Sequence, residues 1–545
     1  MNYKDNIFRF VYVCLAAVTP LSESVAEPFQ PDGTTTFATA ENPVMWADYP
    51  DPDVIRVGDW FYMMSTTMHL MPGAPVMRSK DLVSWELVSY LFDRLEDTPK
   101  YDMKDGTVYG RGQWATSLRW HDGQFYALFS PNDAPYRSYV YTTKDPAKGW
   151  TLHSRMNHFH DASLFFDDDG RVYVFSGTGR LTELKPDLTG VKEGGVDMTL
   201  NVRDEEENGL LEGSRVIKKD GKYYLLMISW PNGGRRRQLC YRADRITGPY
   251  EKKVILCDNF AGFPYVGQGT IVDDAKGNWY GWIFQDRGAV GRVPTLSPCR
   301  WIDGWPVLGD ENGKVPAEMT VPLKAQPAQA LVVSDGFGGK KLDLHWQWNH
   351  NPVDKAWSLK ERKGWLRLTT AEVAPDIFQA RNTLTQRMEG PGCSGWIKLD
   401  VSGMKEGDRA GLAAFNDHAG VLEVSRESGK TVVRMKEEDV EFDKDKRVVN
   451  TASRAGGEIL LGDRTVVYLR VDADFRLGRD VATFFYSTDG KRWNRLGGDF
   501  KMRFDFRKFF MGTKFGIFNY ATKETGGYVD VDCFGYEKKE MKDLQ

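Results

Sequence analysis

The chain has 545 residues, of which 41% are hydrophobic and 27% charged, so it is long enough for about two to four domains with separate cores. Lys and Arg total 72 against 76 Asp and Glu, giving a net charge of −4 without a long basic block, which argues against nucleic acid or an anionic membrane as a partner. Aromatic residues make up 13% of the chain, beside 54 Gly and 25 Pro. This composition favours an all-β protein with many turns.

The N-terminus carries the pattern of a secretory signal. An apolar run, Phe10 to Val18, follows Lys4 and Arg9 and precedes Ser24-Val25-Ala26, a small-x-small cleavage pattern. The run is far shorter than the roughly 20 residues that a membrane-spanning helix needs. We therefore predict a signal peptide at residues 1–26, a secreted or periplasmic mature protein, and no membrane-spanning segment. Cys14 lacks a small residue before it, so lipid anchoring is not favoured.

The cysteines indicate neither a zinc site nor a disulfide scaffold, because no C-x-x-C pair occurs. The mature chain has five of them: Cys240, Cys257, Cys299, Cys393 and Cys533. Most are expected to be buried as small hydrophobic residues. Cys240 and Cys257 are a candidate disulfide pair if neighbouring strands bring them together.

A turn followed by an aromatic strand recurs five times in the first 300 residues. The repeats end in Tyr62, Tyr126, Tyr173, Tyr224 and Tyr280, which lie 64, 47, 51 and 56 positions apart. Each is a Gly-containing hairpin turn that leads into an aromatic and β-branched strand, as in Asp220-Gly221-Lys222-Tyr223-Tyr224. The spacing matches four short antiparallel strands with their turns. The repeat therefore predicts a five-bladed β-propeller.

From about Pro327 the repeat stops and short alternating strands follow, such as Thr431 to Met435 and Val466 to Val471. This pattern predicts a two-sheet β-sandwich. The predicted domains are a propeller at residues 27–325 and a sandwich at 326–545. The connection from Pro322 to Pro327 is short, so the two domains are expected to pack against each other.

Equivalent positions in the blades place three acids together. Twelve residues before the last four repeat tyrosines stand Trp114, Asp161, Glu212 and Gln268, and eleven before Tyr62 stands Asp51. If each residue begins the innermost strand of its blade, all five side chains point into one central funnel. A single acid in such a place would more often be structural, but three at one repeat position favour a shared role.

The sequence around each acid suggests its part in a reaction. Asp51 lies between Pro50 and Pro52 on a stiff, extended segment, and Asp161 begins an apolar strand. Glu212 stands among apolar residues, which favour a protonated carboxyl, so it is the candidate general acid. A protonated acid, an ionised base and a third carboxylate in a ring-lined pocket match hydrolysis of a glycosidic bond.

Several phrases resemble glycoside hydrolase family 43. They are Tyr49-Pro50-Asp51-Pro52, Trp114-Ala115, Asp161-Ala162-Ser163-Leu164-Phe165, Glu212-Gly213, the segment 284–294 with Arg292, and Asp303-Gly304-Trp305-Pro306. Residues 346–352 and 515–521 resemble the concanavalin-like sandwich of the family's β-xylosidase-type members. The resemblance covers nearly the whole mature chain. It implies a five-bladed propeller that acts as an inverting exo-enzyme on arabinose and xylose units.

The resemblance also implies roles for individual residues. Asp51 would be the general base, Asp161 the acid that tunes pKa and orients the sugar, and Glu212 the general acid. Arg292 would contact sugar hydroxyls, Trp114 would offer a ring face, and Gln268 stands where many members have an axial His linked to calcium or water.

The resemblance implies no required cofactor. Because Gln268 replaces the axial His that many members have, a metal ion on the propeller axis is not expected. A structural calcium ion elsewhere is a possibility, because Asp335, Asp530 and Asp532 offer hard oxygen ligands near the end of the sandwich.

The preferred interpretation is a secreted exo-glycosidase that releases α-L-arabinofuranose or β-D-xylose from a hemicellulose. The expected partner is therefore an oligosaccharide or polysaccharide substrate. The sequence leaves the choice of sugar open. One alternative is a non-catalytic carbohydrate-binding protein, which would be marked by loss of an acid at position 51, 161 or 212. A second is a retaining transglycosidase on a similar propeller, which the phrases around Glu212 and Arg292 resemble less.

Overall fold

Five four-stranded antiparallel sheets follow one another along residues 53–308. The structure is a computed structural model that describes residues 36–263 and 266–544. The predicted signal peptide and Cys14 lie outside the described residues. The strands are Asp53–Val57, Trp60–Met64, Gly73–Ser79 and Glu86–Phe92 in blade 1; Ser117–His121, Gln124–Phe129, Arg137–Thr143 and Thr151–Asn157 in blade 2; Ser163–Phe166, Val172–Ser176, Arg180–Leu184 and Asp197–Thr199 in blade 3; Leu210–Lys219, Lys222–Trp230, Arg237–Ala243 and Glu251–Leu256 in blade 4; and Val266–Asp273, Trp279–Asp286, Arg292–Ile302 and Trp305–Leu308 in blade 5.

The recurring turn joins the first two strands of every blade. Its glycine has a left-handed backbone in each case, with φ between 60° and 87° at Gly58, Gly123, Gly170, Gly221 and Gly277. Glycine adopts this conformation without steric cost, which is why tight hairpins favour it. The first strands of neighbouring blades contact one another in order, and the first strand of blade 5 contacts that of blade 1. The five-bladed propeller is therefore confirmed, with the first strands around its axis.

Two strands outside the blades close the ring. Phe37–Glu41 pairs with Glu318–Lys324, and both contribute to a core shared by blades 1 and 5. The Asn42 amide donates to the carbonyl of Leu296 at 2.7 Å and accepts from its N–H at 2.9 Å. The junction between the first and last blades is thus sealed by segments from both ends of the propeller.

Residues after Lys324, together with one short strand from the first part of the chain, form the predicted sandwich of two eight-stranded sheets. One contains, in spatial order, Val448–Leu460, Lys430–Phe442, His418–Glu427, Asp408–Phe415, Lys514–Ala521, Leu384–Arg387, Gln347–Asn349 and Leu70–Met71. The other contains Trp357–Ser358, Leu366–Thr369, Tyr528–Lys539, Gly392–Asp400, Val466–Asp474, Val481–Ser487 and Asn494–Arg495, with Phe500–Lys501 beside Val481–Ser487. Alternate residues such as Leu412 and Leu469 are fully buried in one large core, as expected between packed sheets.

The two domains share a sheet. Leu70–Met71 belongs to blade 1 in sequence, yet it pairs with Trp348 and Asn349 at the end of a sandwich sheet. The His350 Nε2 atom accepts from the backbone N–H of Val108 at 3.0 Å, and the Thr107 hydroxyl donates to the carbonyl of Lys446 at 2.8 Å. The packing expected from the short connection is confirmed.

The structure does not join Cys240 and Cys257, the candidate disulfide pair. Cys240 lies in the third strand of blade 4, where its register partner is Lys253, whereas Cys257 follows the end of the fourth strand. All five cysteines from Cys240 onward are free thiols. The Cys240 side chain packs in an apolar core, as the composition suggested for most of the five.

Helical structure among the described residues is limited to short 3-10 turns: Pro99–Asp102, Pro146–Lys148, Gly288–Val290, Asp354–Ala356, Ile377–Gln379 and Met541–Leu544. None of these turns has the length or the apolar character to cross a bilayer.

Candidate active site

The five blade-equivalent residues lie at the same end of the first strands. Asp51 and Asp161 stand two residues before their strands and Trp114 three before, whereas Glu212 and Gln268 are the third residues of theirs. Because these strands surround the axis, their beginnings meet at one end of the propeller. The predicted convergence therefore holds to within a few residues of register.

A shared backbone distortion aims these side chains. Asp51, Asp161 and Gln268 have φ values of 53°, 46° and 36°, a left-handed conformation that non-glycine residues seldom adopt. In blade 4 the strand bulges just after Glu212, where Gly213 has φ 74°. Such strain costs about 1–3 kcal/mol per residue and is found where a functional side chain must point a particular way.

Asp51 forms a buried ion pair. Its carboxylate accepts from the Thr66 hydroxyl at 2.7 Å and from Arg292 Nη1 at 2.8 Å, and both members of the ion pair are at least 96% buried. Arg292 was expected to contact sugar hydroxyls, but in the structure it directly contacts the candidate base. The guanidinium offsets the charge of Asp51, which would otherwise be costly to bury.

Asp161 and Glu212 both lie beside an imidazole that the sequence analysis missed. His160 Nε2 lies 3.4 Å from Glu212 Oε2 and 3.9 Å from Asp161 Oδ2. Glu212 is also less buried than expected, since 28% of its side chain is exposed. The candidate acid is therefore not isolated among apolar residues: it has a hydrogen-bonding partner and access to solvent.

Burial raises the pKa of the Asp161 carboxyl to about 7, with the charges of Glu212 and Asp51 adding to the rise and that of His160 opposing it. For His160, burial alone would lower the pKa. The hydrogen bond with Glu212 and the charges of Asp161, Glu212 and Asp51 together raise it to about 9. A carboxylic acid and an imidazolium thus stand side by side near neutral pH.

Aromatic rings from both domains line this end of the propeller. The half-buried Trp114 ring lies 5.3 Å from His160 and 5.7 Å from Phe510, measured between ring centroids. Phe510 comes from the sandwich, and the Arg292 guanidinium lies 4.1 Å from its ring and donates to its carbonyl at 3.2 Å. The Trp114 ring thus lies at this end of the propeller beside a second ring from the sandwich, and its contact with a sugar stays a prediction.

Buried charged side chains link the inner strands that carry the acids. Arg215 of blade 4 donates to the backbone carbonyls of Asp51 and Thr116, both at 3.3 Å, and lies 3.4 Å from Asp53. The other Asp53 oxygen accepts from Arg119 at 2.7 Å. These contacts join the first strands of three blades. Arg215 stands beside Val216 and Ile217 in the inner strand of blade 4, and Arg119 beside Leu118 and Trp120 in that of blade 2.

Two groups of residues within the described chain bring three potential ligand atoms within 4.8 Å of one another. In the first, His160, Asp161 and Glu212, the imidazole itself bridges the carboxylates, and we assign it no metal. In the second, the Lys252 ammonium already lies among the acids, at 2.6 Å from Asp204, 3.0 Å from Glu206 and 3.2 Å from Glu207.

The acids suggested as calcium ligands do not form such a group. Asp530 pairs with Arg362 and Arg367, whereas Asp532 pairs with Lys398. Asp335 instead accepts from the Trp346 indole at 2.9 Å. Protein donors already engage all three carboxylates, so the arrangement expected for calcium is not found at these positions.

The fold and the site are those of a glycoside hydrolase. Residues 40–306 match the model of glycosyl hydrolases family 43, and residues 334–537 match that of the β-xylosidase C-terminal concanavalin A-like domain. A β-xylosidase of Formosa agariphila is 30% identical over 91% of this chain and 90% of its own length. The chain belongs to glycosyl hydrolase family 43.

Solved structures agree with this assignment. A bifunctional GH43-CE protein of Bacteroides eggerthii is 44% identical with a TM-score of 0.85; the match covers 93% of this chain but only 64% of that larger one. An engineered GH43 enzyme that displays both endo-xylanase and exo-arabinofuranosidase activity is 33% identical with a TM-score of 0.83, over 92% of this chain and 100% of its own. The expected all-β fold and carbohydrate-hydrolysing activity are confirmed.

Proposed function

We propose that the protein is an inverting exo-glycosidase that removes terminal α-L-arabinofuranose or β-D-xylose from a plant hemicellulose or its oligosaccharides. The observation that carries the proposal is that the two candidate catalytic carboxylates have different partners. Asp51 is paired with Arg292 on one side, and Glu212 is hydrogen-bonded to His160 on the other. The activities named for the similar proteins, β-xylosidase and exo-arabinofuranosidase, support the choice of sugars.

The two carboxylates correspond to the two proton transfers of an inverting hydrolysis. Glu212 gives its proton to the glycosidic oxygen as the bond from that oxygen to the anomeric carbon breaks. A water molecule forms the new bond to the anomeric carbon from the opposite face and gives its proton to Asp51. The products are a free sugar of inverted configuration and a shortened glycan, and the exposed position of Glu212 suits a group that must reach the departing chain.

Asp161 binds and orients the sugar close to Glu212. With a pKa near 7, its carboxyl is largely protonated in mildly acidic solution and can donate a hydrogen bond to a sugar hydroxyl. Oxygen atoms of Asp161 and Glu212 lie within 4.8 Å of each other, so this hydrogen bond would orient the sugar beside the candidate acid.

The test is hydrolysis of paired 4-nitrophenyl α-L-arabinofuranoside and β-D-xyloside, together with arabino- and xylo-oligosaccharides. Proton NMR of the first product gives its anomeric configuration. We expect release of one or both terminal sugars with inversion, and loss of release in Asp51→Asn. A product of retained configuration refutes the inverting mechanism, and release of internal fragments alone refutes the exo mode.

We also propose that the mature enzyme is secreted or periplasmic, on the strength of the apolar run, the preceding basic residues and the small-x-small site in residues 1–26. Mass spectrometry of the N-terminal peptide after expression of the full chain is expected to find a start at Glu27. An intact N-terminus on cell-retained protein contradicts the proposal.

A further inference from the structure

The His160 side chain lies beside two carboxylates that belong to different blades. It directly precedes Asp161 in the turn before the first strand of blade 3, and Glu212 comes from blade 4. Its Nε2 atom lies 3.4 Å from one carboxylate and 3.9 Å from the other, whereas 32% of the side chain remains exposed. The Nε2 atom thus lies within hydrogen-bonding distance of Glu212 and within ion-pair distance of Asp161.

Neighbouring groups limit how the imidazole can turn. The Trp114 ring lies 5.3 Å away on one side, and the His158 ring lies 6.5 Å away at an interplanar angle of 23°. The backbone is also held, because the His160 carbonyl accepts from the N–H of Gly177 at 2.7 Å. The Nε2 atom therefore faces the carboxylates in a preorganised way.

The titratable groups that act on His160 are mostly carboxyl groups. Glu212 and Asp161 lie within 4 Å of its Nε2 atom, the Asp51 charge also acts on it, and His158 is a further titratable neighbour. Burial lowers the pKa of His158, and the charge of His160 lowers it further, so His158 does not compete as a cation near neutral pH.

We propose that His160, as an imidazolium, is a positioning residue that orients Glu212 and stabilises the carboxylate which Glu212 becomes when it gives up its proton. This inference rests on the proposed function. Negative charge develops on Glu212 as the leaving oxygen takes the proton, and a cation already fixed at that point needs no rearrangement to stabilise it. The benefit appears only when proton transfer to the leaving group matters.

The dependence on leaving group separates this role from a structural one. A natural sugar alcohol needs its proton from Glu212, whereas nitrophenolate leaves largely unaided. We expect His160→Phe, which keeps a ring against Trp114, to lower kcat on oligosaccharides by about 10- to 100-fold and kcat on 4-nitrophenyl glycosides by less than about threefold. A merely structural role would reduce both by similar factors.

The pH profile supplies a second readout. A neighbouring cation favours loss of the acid's proton, so its removal lets the general acid stay protonated to higher pH. We expect the alkaline limb of kcat/KM to move upward in both His160→Phe and His160→Gln, with Gln restoring part of kcat because it can still donate to Glu212. The exposed His153 on the outer strand of blade 2 offers a matched control, His153→Gln, which is expected to change neither readout.

Histidine NMR tests the charge without depending on activity. In the full chain labelled at histidine, we expect the signal that His160→Gln removes to titrate well above the usual value, and to move down in Glu212→Gln. Titration near the ordinary value, or no response to Glu212→Gln, overturns the inference, as do equal losses on both substrate types or an unmoved alkaline limb. If the wild-type enzyme releases neither sugar, the proposed function fails. The NMR titration still decides, independently of activity, whether Glu212 stabilises the imidazolium form of His160.

Discussion

The Asp48 carboxylate of the propeller accepts a hydrogen bond from the backbone N–H of Gly512 in the sandwich, at 2.8 Å. Its other oxygen accepts from the backbone N–H of Arg292 at 2.9 Å. Arg292 in turn holds the candidate base Asp51 and donates to the carbonyl of Phe510, two residues before Gly512. One buried side chain therefore connects the sandwich loop to the residue that positions the base.

This connection predicts that Asp48→Asn weakens both folding and catalysis. Asp48 is 1% exposed, and Lys514 Nζ, itself in a side chain only 4% exposed, lies 3.6 Å from it. Removing the negative charge leaves a buried cation unpaired, so we expect a loss of about 3–5 kcal/mol in the free energy of unfolding, measured with urea.

The double variant Asp48→Asn with Lys514→Met removes both charges and is the control. It is expected to recover part of the lost stability but not the lost kcat, because Asn cannot accept from both backbone N–H groups as the carboxylate does. Purely additive stability losses would contradict a coupled pair.

Asp161→Asn is predicted to stabilise the protein above neutral pH while impairing activity. The folded-state pKa of Asp161 is raised to about 7 from an ordinary value near 3.8, so its contribution is fully present below about pH 4 and is lost as pH rises through 7. Asn carries no charge and escapes that loss. Thermal unfolding should show a higher Tm for the variant at pH 8 and convergence with wild type at pH 4. A lower Tm at pH 8 would show that the charged form is well accommodated.

Phe510 is predicted to matter for substrate turnover although it lies outside the catalytic domain. Phe510→Ala removes the ring beside Arg292 and Trp114, and we expect kcat/KM to fall by about 10-fold or more, because misplacement of a positioning group weakens transition-state contacts. Phe506→Ala is the matched control, since that ring is 66% exposed and lies at the outer side of Phe510. Equal effects of the two changes would indicate general loosening of the loop.

Much of this arrangement was readable from the sequence because it repeats. Turn glycines and strand tyrosines recur once per blade, and their spacing alone places Asp51, Asp161 and Glu212 at equivalent points around an axis. His160 was not found in this way, because it is a blade-specific residue with no counterpart at the same repeat position. Asp48 and Phe510 were missed for another reason. Their roles depend on packing between the two domains, and a local sequence repeat carries no information about that packing.

The cysteine pairing and the choice of calcium ligands stayed open in the sequence for the same reason. Cys240 and Cys257 are close in sequence, but strand register assigns Cys240 a different cross-strand neighbour. A register shift in the strand leaves Asp532 unpaired between Val531 and Cys533, and Asp530 and Asp532 are neutralised separately by Arg367 and Lys398. Composition identified these side chains as candidates, and only the register of the folded sheets determined their partners.

The roles of acid and base make opposite predictions about the leaving group. Glu212→Gln cannot protonate the glycosidic oxygen, so it should lose most activity on oligosaccharides and retain much more on 4-nitrophenyl glycosides, whose leaving group needs little help. Asp51→Asn cannot take the proton from water, a step that every substrate shares, so both substrate types should lose activity by the same factor, on the order of 10²-fold or more. Circular dichroism of both variants checks that the fold is intact. Equal losses on both substrates in Glu212→Gln, with the fold preserved, would mean that Glu212 and Asp51 have been assigned the wrong way round.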